Sequence, residues 1–566
     1  MRSFVIVFIA FFLFSCGDAP KKAEHPELPE SDDALPDEEA ENCRENDIQY
    51  QKPELPQNPA VTEIKKYSGN SECVPLPEPD NGELVLGDGC FLGCIKAEKR
   101  LTISGNGSGN TLIVCNDEEK EAAVEVLPNA GIVLENVSLS GKVRCIYAGK
   151  GSRTEVKKSV LSHCAKGGIN ICPDESGCRA DLKVTDSFIG DIDEAPSGIS
   201  YGISFGNGSL DVSGSEISGV NSFGIAVWGE TGEKNEVNIE NSVVSGVYGG
   251  LRSYEGHGFY AENSASVTIK NSSVSDVAAS FILVSSESDE IELKLIDFTA
   301  ENILETSEEQ GGIVLDGSVK SCMERILIEN SRGNGIFSRG AVLYAEDLTV
   351  RSVFSDGLCE NGFALQLVDG SKSFVKRLSV DSAEKAGILL DGNCSADIED
   401  FEILSTKSDG RTGEFGVGAA VQESASLSMK NGIISDNRES GILAISADIS
   451  LENVAIKNTL PRKCTENGNC IFAPSTDFGH GISLYSSSLL RFGSITLFNN
   501  NNGLNIADSE VSGAGSKNIF FGNNTTAVNA WNISDFNMLD ENLSNSAFCG
   551  NGSVFTSDSQ PVREGL

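Results

Sequence analysis

Asp316, Arg339 and Asp391 fall in step with a repeat of short apolar segments, opening with Gly, whose base period is 22–23 residues. On stacked repeats, two carboxylates and a guanidinium would stand on one line. A basic group could then take a proton beside a uronate carboxylate, while acidic groups held a Ca2+ ion that neutralises it. The plainer reading of the same residues is an ion pair between Asp316 and Arg339 across neighbouring strands of an exposed sheet. Four positions after the opening residue of each segment, Trp228, Glu262, Gln366 and Gln422 join this line with Val284, Ile445 and Tyr485. Tyr260 and Phe337 stand two positions after it. Aromatic faces stack on sugar rings, and amides or carboxylates bond hydroxyls, so the line suits an extended glycan.

The elements that must position these side chains are short strands. The segments open at Gly168, Gly202, Gly224, Gly258, Ser280, Gly312, Gly335, Gly362, Gly387, Gly418, Gly441, Gly481, Gly503 and Thr526. Many steps are 22–23 residues, and the longer ones are that floor plus an insertion, as in Val247–His257, Lys407–Val417 and Thr459–His480. Three strands and three turns per repeat account for the floor. The expected fold is an all-β right-handed parallel solenoid of about 15 coils, roughly 70 Å long at the spacing of stacked strands. Within the opening strand, period-2 alternation turns positions one and three after the Gly inward and positions two and four outward. Asn136, Asp186, Asn241, Asn271, Asp297, Asn330, Asp347, Asp400, Asn431, Asn453 and Asn518 are read as one recurring bend, since Asn and Asp tolerate left-handed backbone. Insertions gathered on one face mark that face as the working one.

The first coils, Glu83–Leu92 followed by Leu101-Thr102-Ile103-Ser104-Gly105-Asn106-Gly107 and Thr111–Val114, resemble the pectin-lyase-like family of right-handed parallel β-helices. That resemblance covers most of Gly82 to Phe536 through coil pattern, and implies activity on the outer face of the strand that follows the variable loops. Gly-His-Gly at His257 and His480 is similar to a polygalacturonase motif, but its Asn-Thr-Asp, Asp-Asp and Arg-Ile-Lys companions are absent at the required coils, so the activity is not carried over. The two copies stand about eight coils apart, roughly 38 Å. Leucine-rich repeats share the period but would show Leu at fixed places.

A formal charge of −40 repels phosphate backbones, which excludes nucleic acid as a partner. Arg2, the apolar run Phe4–Phe14 and Leu13-Phe14-Ser15-Cys16 resemble the signal and lipobox of a bacterial lipoprotein. The resemblance implies cleavage after residue 15, acylation of Cys16 and a membrane anchor, with Gly17 in place of Asp favouring the outer membrane. Residues 16–60 read as an acidic, Pro-rich tether, 61–81 as a lead-in, 82–531 as the solenoid and 532–566 as a C-terminal cap and tail. Sixteen cysteines point to an oxidising compartment. Cys464 with Cys470 and Cys172 with Cys178 are the favoured bridges, and Cys90 with Cys94 is a further one. Scattered spacings and four His give no zinc pattern, and no cofactor is expected unless Ca2+ serves the lyase alternative. The functional expectation is an anchored monomer that binds a glycan, with a polysaccharide lyase or hydrolase, and a spacer or adhesin, as alternatives.

Overall fold

A computed structural model describes residues 51–57, 65–68 and 72–557, apart from 173–176, 193–198, 231, 233–234, 250–254, 264, 305–310, 357–360, 411–412, 414, 462–477, 514–518, 523–525, 532–546 and 549–552. Its regular elements are all strands, paired in parallel with the coil before and the coil after. Three ladders run the length of the rod. The first sheet starts at Ile95–Ala97, passes through the Gly-opened strands and ends at Ser553–Ser557. The second runs from Glu83–Val85 to Glu510–Gly513 and the third from Val74–Pro75 to Ala547–Phe548. Between them lies one apolar core, with Phe205, Phe259, Phe281, Phe298 and Phe401 among its fully buried side chains. Alternation produces this directly, as in the burial of every second residue along Asn235–Glu240.

The corner between the second and third sheets holds most of the expected bend residues. Asn136, Asp186, Asn241, Asn271, Asp297, Asp347, Asp400, Asn431 and Asn453 all have φ between 45° and 59°. Asn453 Nδ2 donates to Asn431 Oδ1 at 3.0 Å, and Asn271 donates to Asn241 in the same way. Asn330 is a correction. It is left-handed at φ 53°, but it sits at the exit of the third sheet, where Asn302 Nδ2 donates to Asp276 and Asn330 Nδ2 to Asn302. Asn518 lies outside the described residues. At the first corner the rung of Asn330 is occupied instead by Arg325, and that of the coil after Asp347 by Arg377, both left-handed. Each guanidinium grips the Asp of the preceding rung through two bonds. Charge pairing there replaces the amide ladder.

Directly after this corner, Ser159, Ser187, Ser215, Ser242 and Ser272 form a buried column. Each amide from Ser159 to Ser242 donates to the hydroxyl of the next rung, at 3.1–3.3 Å. Each hydroxyl from Ser159 to Ser272 donates back to the carbonyl two residues earlier. Polar groups taken out of water are thus satisfied where the corner interrupts the backbone ladder.

The Gly beat has a steric cause. Gly202 and Gly441 do not need positive φ. A Cβ on Gly202 would lie 2.5 Å from the Gly224 carbonyl oxygen on the next coil and 2.4 Å from Ile217 Cγ2. On Gly441 it would lie 2.6 Å from the Gly481 oxygen. The coils approach too closely there for any side chain.

Disulfides link Cys73 with Cys90, Cys94 with Cys115, Cys145 with Cys164, and Cys172 with Cys178. The last is as expected. Cys90 and Cys94 are not joined to each other, because the strand between them turns each toward a different neighbouring segment. Cys464 and Cys470 lie outside the described residues, while Cys322 and Cys394 are free thiols. Four bridges fit an exported protein.

Residues 51–57, the far end of the segment read as a tether, lie along the rod. The Glu54 amide donates to Asp347 Oδ1 at 3.0 Å, the Gln57 backbone bonds Asp297, and Lys52 pairs with Glu402 at 3.5 Å. Further on, Ser108 Oγ donates to the Lys65 carbonyl, and Lys66 pairs with Asp191 and covers the Phe188 ring. Asp297 and Asp347 are two rungs apart, about 9.6 Å, and three extended residues span about 10 Å. The strap's pitch therefore matches the corner ladder.

Candidate functional site

The outer face of the first sheet was expected to do the work, and its geometry divides it into three parts. At the near end, Tyr201, Phe223, Trp228, His257 and Tyr260 form one aromatic cluster. Trp228 and Tyr260 lie 4.8 Å apart between ring centroids, Phe223 and Tyr260 5.4 Å, and Tyr201 stacks on Phe223 at 5.5 Å. His257 lies 5.6 Å from Phe223. Tyr260 donates its hydroxyl to Glu262 Oε2 at 2.9 Å. Register explains the grouping, since Phe223 pairs with His257, Ala226 with Tyr260 and Trp228 with Glu262. Trp228, Tyr201, Tyr260 and Glu262 are part-exposed, whereas Phe223 and His257 are buried beneath them. Ser222 donates to the buried Glu255 at 3.0 Å just below. Rings with a carboxylate at their edge offer both apolar faces and hydrogen-bond acceptors.

Trp228, Tyr260 and Glu262 are thus brought together as expected. Tyr201 and Phe223 were missed, although Tyr201-Gly202, Phe223-Gly224 and His257-Gly258 repeat the same aromatic-Gly order. Strict alternation would turn these residues inward with the residue two places on. The close coil contact at each Gly interrupts the pleat and sends them outward.

In the middle, Arg339 Nε and Nη2 donate to Asp316 Oδ1 and Oδ2 at 2.7 and 2.6 Å. The plainer reading of this pair is the one observed. Asp316 holds the guanidinium above its already high ordinary pKa, so Arg339 keeps its proton. Asp391 does not join them, because Val368 occupies the intervening rung. Burial and then the Glu423 charge push the Asp391 carboxyl above the usual range, against a hydrogen bond from Gln422. Two frame corrections belong here. Gln366 pairs with Phe337 and so stands in the inner of the two outward rows, where it accepts from Asn334 at 2.8 Å. Val284 pairs with Ala261 and is fully buried, leaving Ser285 in the outward position. Both shifts arise because the opening residues of those strands, Ala364 and Phe281, are not Gly.

From Phe337 onward part of the face is covered. Phe337 points outward yet is only 4% exposed. Phe363, Ala386 and Val417 form a second buried apolar cluster with Leu389, Ala420 and Leu443. Lys385 lies over it, 5.8 Å from the Phe363 ring and 5.5 Å from that of Phe415. At the end of the insertion that follows Lys407, the Gly416 and Val417 amides donate to the Lys385 carbonyl, which holds Phe415 beside that lysine. Gln422 keeps its place beside Asp391. His480, a full eight coils from any partnership with His257, accepts from Asn502 Nδ2 at 3.1 Å. Among the described residues no group of three or more His, Cys, Asp or Glu is placed to hold a metal ion.

The family described as right handed beta helix region matches residues 257–460. The chain is a right-handed parallel β-helix protein. Solved structures similar to this β-helix include a catalytic domain of a GH87 α-1,3-glucanase in complex with tetrasaccharides, 12% identical over 73% of this chain and 69% of that one, at a TM-score of 0.31. Another is the catalytic unit of the thermostable GH87 α-1,3-glucanase of Streptomyces thermodiastaticus, 10% identical over 88% and 71%, at 0.26. A mannuronic acid specific polysaccharide family 6 lyase from human gut microbiota is 12% identical over 84% and 85%, at 0.25. Likeness at this level carries nothing about the chemistry of the β-helix. No curated protein matches the chain.

Proposed function

We propose that this β-helix is an exported lipoprotein, anchored through Cys16, that binds a glycan at the near end of the first sheet. The observation that carries the reading is the part-exposed cluster of Tyr201, Trp228 and Tyr260, with Glu262 bonded at its edge. Sugar rings pack on such faces and their hydroxyls bond the carboxylate. A lyase reading would need a free base near a second acid. Arg339 is instead committed to Asp316, and Asp391 stands two rungs away.

Glycan-array retention and calorimetry test the site, with absorbance of unsaturated sugar ends recorded on the same samples. Trp228→Ala is expected to weaken binding about tenfold, or about 1.4 kcal/mol. Binding unchanged in that variant would remove the site, and unsaturated product would replace binding with lyase chemistry. The anchor is tested separately by mass spectrometry of the mature N-terminus, where Cys16→Ser should abolish acylation.

A further inference from the structure

The strap of residues 51–57 keeps a three-residue rhythm. Pro53 and Pro56 are part-buried against the rod, while Gln51, Lys52, Glu54, Leu55 and Gln57 are exposed. The two backbone amides that reach the rod, Glu54 and Gln57, each directly follow one of these prolines. A polyproline II chain has three residues per turn and climbs about 3.1 Å per residue, so equivalent positions recur about every 9.3 Å. Two rungs of the rod measure about 9.6 Å. A Pro-x-x-Pro segment therefore brings its prolines, and the donors after them, into step with alternate coils. Proline has no N–H to leave unpaired where it packs on the rod.

The seat belongs to particular coils. Asp297 is followed at the corner by Arg325 and Asp347 by Arg377, and each guanidinium bonds both oxygens of its Asp. A carboxylate fixed in this way keeps lone pairs for a further donor, which the strap supplies. Asp186 and Asp400, at the same corner, are followed instead by Gly214 and Asn431.

The seated motif has a second copy. Pro53-Glu54-Leu55-Pro56 recurs as Pro26-Glu27-Leu28-Pro29, 27 positions earlier, in the stretch between Cys16 and the strap. Glu27 and Glu30 hold the places of Glu54 and Gln57. His25 stands where Lys52 pairs with Glu402 at 3.5 Å. An ordinary His is largely uncharged at neutral pH, so the earlier copy is the weaker occupant there.

We propose that the corner carrying Asp297 and Asp347 is a binding groove for polyproline II segments, and that Pro26–Pro29 is its second occupant, exchanging with Pro53–Pro56. Both copies offer the same pair of prolines and the same pair of amide donors. Exchange shifts the seated stretch by 27 residues. In a chain anchored at Cys16 it shortens the free tether from residues 17–52 to residues 17–25 and draws the rod toward the membrane. That consequence rests on the anchor proposed above, whereas the exchange itself does not.

Amide exchange of the full chain, read residue by residue, tests this. In the parent the Glu54 amide should be protected and the Glu27 amide nearly unprotected. Glu54→Pro removes the donor that faces Asp347, and protection at Glu27 and Glu30 should then rise about tenfold. His25→Lys combined with Lys52→His should raise protection at Glu27 and lower it at Glu54. Both variants change only the tether and the strap, and a melting point within about 2 °C of the parent verifies that the rod is intact. Glu27 and Glu30 amides that exchange at the parent rate in both variants would overturn the proposal. So would protection at Glu27 that survives when Asp347→Ala is added to Glu54→Pro.

Discussion

Arg377 holds Asp347 from the next coil through Nε to Oδ1 at 2.5 Å and Nη2 to Oδ2 at 2.8 Å, while its own backbone is left-handed at φ 55°. A side chain with a Cβ is strained in that region by about 1–2 kcal/mol. The bidentate pair offsets the strain at a rung where other coils place Asn. The strap completes the arrangement, because the Glu54 amide occupies the same carboxylate.

Arg377→Ala should therefore destabilise the rod by about 2–4 kcal/mol, since it leaves a nearly buried carboxylate without its partner. Arg377→Asn should cost less, as Asn tolerates the turn and can rejoin the amide ladder. Burial works against the charge of Asp347, yet the hydrogen bonds from Arg377 and Glu54 hold its carboxyl below the usual range. A depressed folded pKa gives stability that is present above the ordinary value of 3.8 and lost as pH falls through the folded value. Melting curves should thus show the parent and Arg377→Ala converging below about pH 4. A gap that persists into strong acid would contradict the charge argument.

Glycines that look alike in the sequence should respond differently. Gly202→Ala drives a methyl into the Gly224 carbonyl of the next coil, at a cost of about 1–3 kcal/mol. Gly87→Ala meets nothing within 4 Å at a compatible backbone and should stay within about 0.5 kcal/mol of the parent. Denaturant titration of the two variants makes the comparison.

Ser215→Ala removes the acceptor of the Ser187 amide, bonded at 3.1 Å inside the rod. The loss should be about 1–3 kcal/mol, and exchange at the Ser187 amide should accelerate more than at neighbouring strand amides. Uniform protection along the coil would show that the column is ornamental to stability.

The strap gives a site-by-site test. Amides of Glu54 and Gln57 should be protected from exchange in the parent. Asp347→Ala should release Glu54 more than Gln57, and Asp297→Ala the reverse. Simultaneous release by either variant would mean that the strap docks as one indivisible unit.

Coil architecture was legible because it follows from a local rule. A Gly is forced wherever two coils nearly touch, and a left-handed Asn or Asp is favoured wherever a strand turns. The site was legible only in part. Trp228, Tyr260 and Glu262 obey alternation, whereas Tyr201 and Phe223 face outward only because the Gly contact breaks it. Register slipped where Phe281 and Ala364 replaced the Gly, which misplaced Val284 and Gln366. The covering of Phe337 and the docking of Glu54 depend on partners far away in the chain, and no periodic pattern carries that information. Asn330 shows the same limit on a smaller scale, since two corners of one coil ask for the same residue type.

The strap also sets an order of events. Glu54 and the Asp347 that binds it are 293 positions apart, so at the ribosome or the export channel the N-terminal segment emerges long before its seat exists. Coils can stack one upon another as they appear, each closing on the last. The segment at Glu54 must wait outside until the coils of Asp297 and Asp347 are in place, and its docking then reports that the central half of the rod has been built.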